Sequence, residues 1–270
     1  GAAWVVDLAE KPHQLVTGAT QSGKSTLTAA LLVALAPRPV AVVGIDAKGG
    51  IELGLFEPRL SALATTRAEA AAVLEALVDE VLDRMGACRA AGVRSIWDLA
   101  PASRPVPVVV LVDEVAEVFL YSDRAGKDEA GRCVTALVRL AQLGAALGVH
   151  LWVSGQRFGS DLGGGATLLR AQLAGRICHR VADVETAEMT LAGLPAEATD
   201  AALSIPVHLP GVAVVGDDSG AWARARSAYV PLTDAVEAAH EYAGERIELP
   251  GVTAALGRVR DQRGGDGSWR

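Results

Sequence analysis

Aromatic residues are scarce in this chain of 270: three Phe, three Tyr and five Trp, 4% in all, so aliphatic side chains must fill the core. Cysteine is scarcer still. Cys88, Cys133 and Cys178 stand far apart with no C-x-x-C pair, which excludes a disulfide framework and a cysteine-built zinc site and fits a reducing, cytoplasmic setting. Their equal spacing hints at a repeat, but the flanks GACRA, GRCVT and RICHR share too little to support one. Lysine occurs four times, at Lys11, Lys24, Lys48 and Lys127, against twenty-one arginines. Basic charge as a whole is outnumbered 25 to 32, for a net charge of −7. A uniformly basic coat for nucleic acid is thereby excluded, whereas a locally basic channel inside an acidic body is not. Long apolar runs are missing too: Ala29 to Ala36 and Val106 to Val112 fall well short of the roughly 20 residues that span a bilayer. The chain starts at Gly1 with no methionine and no charged-then-apolar leader, which fits a piece of a longer protein whose remainder holds any membrane anchor.

What is present is globular. Half the residues are hydrophobic and 21% are charged, and the length allows one large domain or two small ones. Apolar, β-rich runs at Leu15 to Thr17, Val40 to Ile45, Val108 to Val112 and His150 to Ser154 alternate with helical patterns. That alternation predicts an α/β fold with a parallel sheet covered by helices on both faces. Val73, Leu74, Leu77, Val78, Val81, Leu82 and Met85 recur at helical spacing, and Glu129 to Leu147 reads as a second long helix ended by Gly148. Val212 to Val215 and Ala221 to Tyr229 predict a hairpin around GDDSG, and Thr233 to Tyr242 a last helix. The domain is expected to occupy residues 1–243. Residues 244–270, with Pro250, a GGDG stretch and Arg258, Arg260, Arg263 and Arg270, are expected to form a flexible, solvated tail.

The most specific signal is Gly18-Ala19-Thr20-Gln21-Ser22-Gly23-Lys24-Ser25-Thr26, which satisfies G-x-x-x-x-G-K-[ST] directly after a strand and before an apolar helix. The two glycines let successive N–H groups converge on phosphate oxygens, and the helix adds its positive end. A triphosphate is the expected ligand: Lys24 is expected to neutralise its outer phosphates, and Ser25 to offer its hydroxyl to Mg²⁺. A second site follows at Val108-Val109-Val110-Leu111-Val112-Asp113-Glu114, where two acids end a buried strand at the edge on which open α/β sheets bind ligands. Asp113 is expected in the Mg²⁺ shell, and Glu114 is expected to polarise the attacking water. Gln156, after the strand ending at Ser154, suits a sensor between the outer phosphate and the water. Arg157 fits a contact with phosphate or with a neighbouring subunit, or equally a plain surface residue. Arg176 fits an arginine finger projecting into a neighbouring subunit. Asp46 and Lys48 either line the cleft or close a loop.

Other chemistries lack their residues. The five histidines form no H-x-x-x-H pair, and no G-x-S-x-G elbow or strand-following G-x-G-x-x-G occurs. Cys178 and His179 are adjacent on a strand and so point to opposite faces, which rules out a thiol–base pair.

In order, PHQLVTGATQSGKST, GIDAKGGIEL, AGVRSIWDL, VVVLVDEVAEVF, RLAQLGAALGVHLWVSGQR and AQLAGRICHRV resemble the FtsK/SpoIIIE family of ring-forming, ATP-driven double-stranded-DNA translocases, over about Trp4 to Ala243. Within it the chain looks most like Tra proteins that move plasmid or integrated-element DNA between actinobacterial mycelia. The resemblance implies a RecA-like P-loop NTPase of the ASCE type that forms a homo-hexamer around a duplex, with ATP at the subunit interfaces. It matches Lys24 and Ser25 to the family's Walker A, Asp113 and Glu114 to its Walker B, Gln156 and Arg157 to its post-strand Gln-Arg, and Arg176 to its arginine before the following strand. The chain departs from the family pattern at Ala145, at Phe158 and at Thr186-Ala187-Glu188. Rival readings are a motor of a protein secretion system, a P-loop small-molecule kinase, and an assembly module that binds nucleotide without cleaving it.

Overall fold

A computed structural model describes residues 4–159 and 162–265. Its strands are β1 (His13–Thr17), β2 (Ala41–Ile45), β3 (Ala62–Ala64), β4 (Val108–Val112), β5 (Val149–Gly155), β6 (Gly175–His179), β7 (Val212–Gly216) and β8 (Trp222–Arg226). They form one sheet in the order β3-β2-β4-β5-β1-β6-β7-β8. The first six in that order are parallel, and β7 and β8 add an antiparallel edge. The helices are α1 (Lys24–Leu35), α2 (Arg67–Ala91), α3 (Val115–Phe119), α4 (Arg124–Leu143), α5 (Gly164–Gln172), α6 (Val184–Thr190), α7 (Ala196–Leu203), α8 (Leu232–Glu241) and α9 (Pro250–Gly265). None of the helices among the described residues is long and apolar enough to cross a membrane.

Every residue of β1, β2, β4, β5 and β6 is buried, and successive side chains of a strand serve opposite layers. On one face Val43, Ile45, Val110, Val112, Leu151 and Val153 pack with Leu74 and Leu77 of α2 and Leu137 and Leu140 of α4. On the other, Val42, Val109, Leu111 and Trp152 meet Leu27 and Leu32 of α1 and Ala235 and Ala239 of α8. Each fully buried Val, Leu or Ile side chain among them contributes roughly 1.5–3 kcal/mol. The expected sandwich of helix, sheet and helix is the one found.

The long helices keep their expected place but not their expected ends. The first turn of α2 is capped by Thr66, whose side chain accepts the Glu69 N–H at 3.3 Å, while the Glu69 carboxylate accepts the Thr65 N–H at 2.7 Å. The second helix begins earlier, at Arg124 behind an Asp123 cap, and gives way to a 3₁₀ turn over Ala145–Leu147. The expectation of a flexible tail is corrected. Pro250 opens α9 at the first helical position, which tolerates its missing N–H. Leu249, Val252 and Leu256 join the core beside α2, and Arg260 donates to the Leu63 carbonyl at 2.9 Å and pairs with Glu69 at 3.2 Å. Four glycines and three arginines in this segment disguise its apolar stripe. Arg270 lies outside the described residues.

Candidate nucleotide-binding site

All six parallel strands present their carboxyl ends on one edge, and a cavity of about 280 Å³ opens there. The loop from Ala19 to Thr26 forms its floor, with Lys48, Glu52, Asp113, Glu114, Gln156 and Pro210 around it. The loop's shape needs its glycines. A Cβ at Gly18 would collide with Ser22 Oγ and stand 2.7 Å from His179 Cβ. Gly23 has φ +111° and presses against the Gly211 backbone. Gln21 takes a left-handed φ of 61° without being glycine, a strain typical of ligand-gripping loops.

Lys24 opens α1 and is half-buried, its ammonium donating to the Gly18 carbonyl. Burial lowers its pKa, and Glu114 and Asp113 work against that shift. Asp113 is pushed up to about 6, first by burial and then by Asp46, Glu52 and Glu114. Such crowding of carboxylates around one ammonium is the electrostatic setting that a divalent cation relieves. Ser25 and Asp113 line the same cavity, a sparse oxygen set that fits Mg²⁺ completed by phosphate oxygens and water.

Glu114 is 8% exposed and has φ 52°. Its Oε1 accepts the Gln156 N–H at 3.3 Å. That bond ties the end of β4 to the end of β5 and holds the carboxylate at the cavity wall. Ser154 Oγ reinforces the junction, donating to the Val112 carbonyl at 3.0 Å and to Asp113 Oδ1 at 3.4 Å.

Of the expected site residues, Ala19 to Thr26, Asp113, Glu114 and Gln156 all line this one cavity. Asp46 closes a loop instead: it is fully buried and accepts the N–H groups of Glu52 at 2.9 Å and Leu53 at 3.1 Å. Lys48 lines the cleft. Arg157 is exposed and pairs with Glu185 at 3.2 Å, a surface arrangement. Arg176 lies inside β6, opposite Leu15, away from the loop. It is 9% exposed and donates to the Arg170 carbonyl at 3.1 Å. Its Nη1 has no partner among the described residues, and burial lowers its pKa to about 10. It borders a separate cavity of about 290 Å³ shared with Lys11, Gln14, Asp217 and Trp222. Glu52 and Pro210 were not singled out by the sequence. Glu52 sits in the loop that Asp46 closes, so its place depends on that loop's fold. Pro210 precedes β7, far along the chain, and no local pattern marks it.

The family profile for FtsK/SpoIIIE matches residues 1–104 and 98–160. A sporulation regulatory protein of Streptomyces azureus is 49% identical over 243 residues, covering 90% of this chain and 80% of the relative. Transfer protein TraSA of Streptomyces ambofaciens is 45% identical over 265 residues, covering 94% of this chain and 64% of that protein. Among solved structures, the pCW3 conjugation coupling protein TcpA in its monomer form with ATPγS superposes with a TM-score of 0.73 at 26% identity. That match covers 83% of this chain and 62% of the other. The chain therefore spans just under two thirds of the transfer and coupling proteins it resembles. A phosphate loop followed by an Asp-Glu strand end on a RecA-like sheet agrees with these matches, and the chain belongs to the FtsK/SpoIIIE family.

Proposed function

We propose that this chain is the ATP-hydrolysing motor domain of a double-stranded-DNA translocase, acting in conjugative DNA transfer as a homo-hexamer on the cytoplasmic side of a membrane, any anchor lying outside this sequence. The observation that carries the ATPase reading is the placement of Glu114. A left-handed turn and the Gln156 N–H hold its carboxylate in the same cavity as Lys24. The transfer reading is supported by TraSA and by a coupling protein solved with ATPγS.

The loop N–H groups and the positive end of α1 bind the phosphates. Lys24 exchanges its Gly18 carbonyl for phosphate oxygens and neutralises charge there. Ser25 and Asp113 would hold Mg²⁺, which when bound offsets charge on the outer phosphates. Glu114 accepts the proton of the attacking water, and the Gln156 amide lies between that water and the outer phosphate. Arg176 is the candidate finger supplied by a neighbouring copy. Its unpartnered Nη1 and its place at the border of a surface cavity support the role, and its burial requires that the neighbour's phosphate come to it.

Displacement of a third strand from a linear duplex tests the cargo. ATP-dependent displacement that stops in the Glu114→Gln variant is expected. Turnover indifferent to duplex, but raised by a secreted polypeptide, would transfer the reading to a protein-moving motor.

A further inference from the structure

The two halves of the phosphate loop are held from different places. The second half is tied to the turn before β7, where the Gly211 N–H donates to the Ser22 carbonyl at 2.9 Å. The first half is held by the stretch from the end of β6 through α6. Ala19 N–H donates to the Arg180 carbonyl at 2.8 Å, and Arg180 Nη2 donates to the Thr20 carbonyl at 3.2 Å. Directly before the loop, Thr17 ends β1 between Gly155 of β5 and Cys178 of β6. Its hydroxyl lies 2.7 Å from that of Thr190, the last residue of α6 and 173 positions along the chain. Both residues are fully buried, where a hydroxyl is tolerated only if it is bonded. The protons of the pair have one consistent arrangement. The Thr186 carbonyl can only accept, so Thr190 donates its proton there, at 2.7 Å. Thr17 is then the donor to Thr190, since its other neighbour, Cys178 Sγ at 3.7 Å, is a weak acceptor. The bonds run one way, from the strand end through Thr190 to the backbone of α6. That helix is itself fixed at its start, because Asp183 accepts the Thr186 N–H at 2.8 Å and the Thr186 hydroxyl at 3.0 Å.

We propose that Thr190 is a positioning residue of the nucleotide site: it holds Thr17, and through Thr17 the point at Gly18 where the phosphate loop leaves the sheet. The proposal rests on the reading that the loop binds the phosphates of ATP. Gly18 has little slack, since a Cβ there would stand 2.7 Å from His179 Cβ, and its carbonyl is the partner of the Lys24 ammonium. A shift at Thr17 therefore reaches both the first loop N–H groups and the lysine. Such groups bind phosphate well only when they are in place beforehand. An apolar contact at Thr17 would fill the same space, but a hydrogen bond also fixes a direction. Thr190 is not among the residues that line the cavity, so its effect on nucleotide passes through Thr17.

Calorimetric binding of Mg-ATP, steady-state turnover and urea unfolding are compared for the chain and its Thr190→Val, Thr190→Ser and double Thr17→Val, Thr190→Val variants. Thr190→Val keeps the shape and removes the acceptor. It is expected to weaken Mg-ATP about five- to tenfold, the scale of one net hydrogen bond, and to raise KM with kcat little changed. Loss of folded protein would instead lower kcat and leave KM alone, which separates positioning from a merely structural role. Thr190→Ser restores the hydroxyl and should bind as the unaltered chain does. The double variant strands no polar group, so its stability should return toward that of the unaltered chain while its affinity stays weak. Affinity restored in the double variant overturns the proposal, because the loss would then come from a stranded hydroxyl. Unchanged binding in Thr190→Val overturns it as well, as does equal weakening in Thr190→Ser. Should Thr190→Val fail to fold, the other two variants decide: weak binding in the double variant with full binding in Thr190→Ser upholds the proposal, and equal binding overturns it. If the unaltered chain binds no Mg-ATP, the phosphate reading fails first and the proposal falls with it.

Discussion

At the amino ends of β1 and β5 polar groups are closed into the protein: the Leu151 N–H donates to His13 Nδ1 at 3.2 Å, and Trp97 stacks on His150 at 6.4 Å. Nearby, the buried Arg84 donates to the Leu147 and Val106 carbonyls at 3.0 and 2.9 Å. At the carboxyl end of the sheet the arrangement is reversed. Gln21 and Glu114, the two non-glycine residues with positive φ among the described residues, both stand there. So does the crowded Asp113. One end holds the sheet together, and the other holds backbone strain and unmatched charge ready for a ligand. Substitutions at the two ends should therefore separate activity from stability.

The largest effect is expected at the strained end. Glu114→Gln should lower phosphate release by about 10²–10⁴-fold, the usual worth of a positioned general base, while nucleotide still binds and the unfolding midpoint stays near that of the unaltered chain. Phosphate release and thermal unfolding on one preparation check both halves. At the other end, Arg84→Met should remove about 2–4 kcal/mol of stability, because it strands one buried and one part-buried carbonyl. Urea unfolding measures that loss, and turnover per folded molecule should not change.

Protonation sharpens the contrast without a ligand. Burial, the largest cause, holds His13 and His179 at about 4, below the ordinary 6.5. The unfolded chain takes up protons below pH 6.5 that the folded chain refuses until about pH 4, so stability should fall as pH drops through that window. His179→Phe should flatten the slope by about one proton, read from denaturation midpoints between pH 7 and 4. The smallest effect belongs to neither end: the exposed Arg132–Glu75 pair joins α4 to α2 at the surface, and Arg132→Gln should cost no more than about 1 kcal/mol.

The central strands were legible because burial on both faces turns them into apolar runs, and the cradle was legible because its geometry is local: one strand, one loop and one helix in consecutive residues. Contacts between distant segments left weaker traces. Nothing near Pro210 or Gly211 announces that they close on Ser22 and Gly23. β3 is three small residues, Ala62–Ala64, too short for a period to show. α9 carries its apolar residues among glycines and arginines, so its place in the core appears only when α2 lies beside it. Arg176 reads as a loop residue before a strand and proves to be a buried strand residue, a difference decided by its pairing with β1.

The central proposal is that ATP is cleaved where copies of this chain meet and that the energy moves duplex DNA. Phosphate release per molecule, measured across a range of protein concentrations with and without linear duplex, tests it most directly. The account predicts specific activity that climbs steeply with concentration and rises strongly with duplex. Specific activity that is flat in concentration and indifferent to duplex would contradict it.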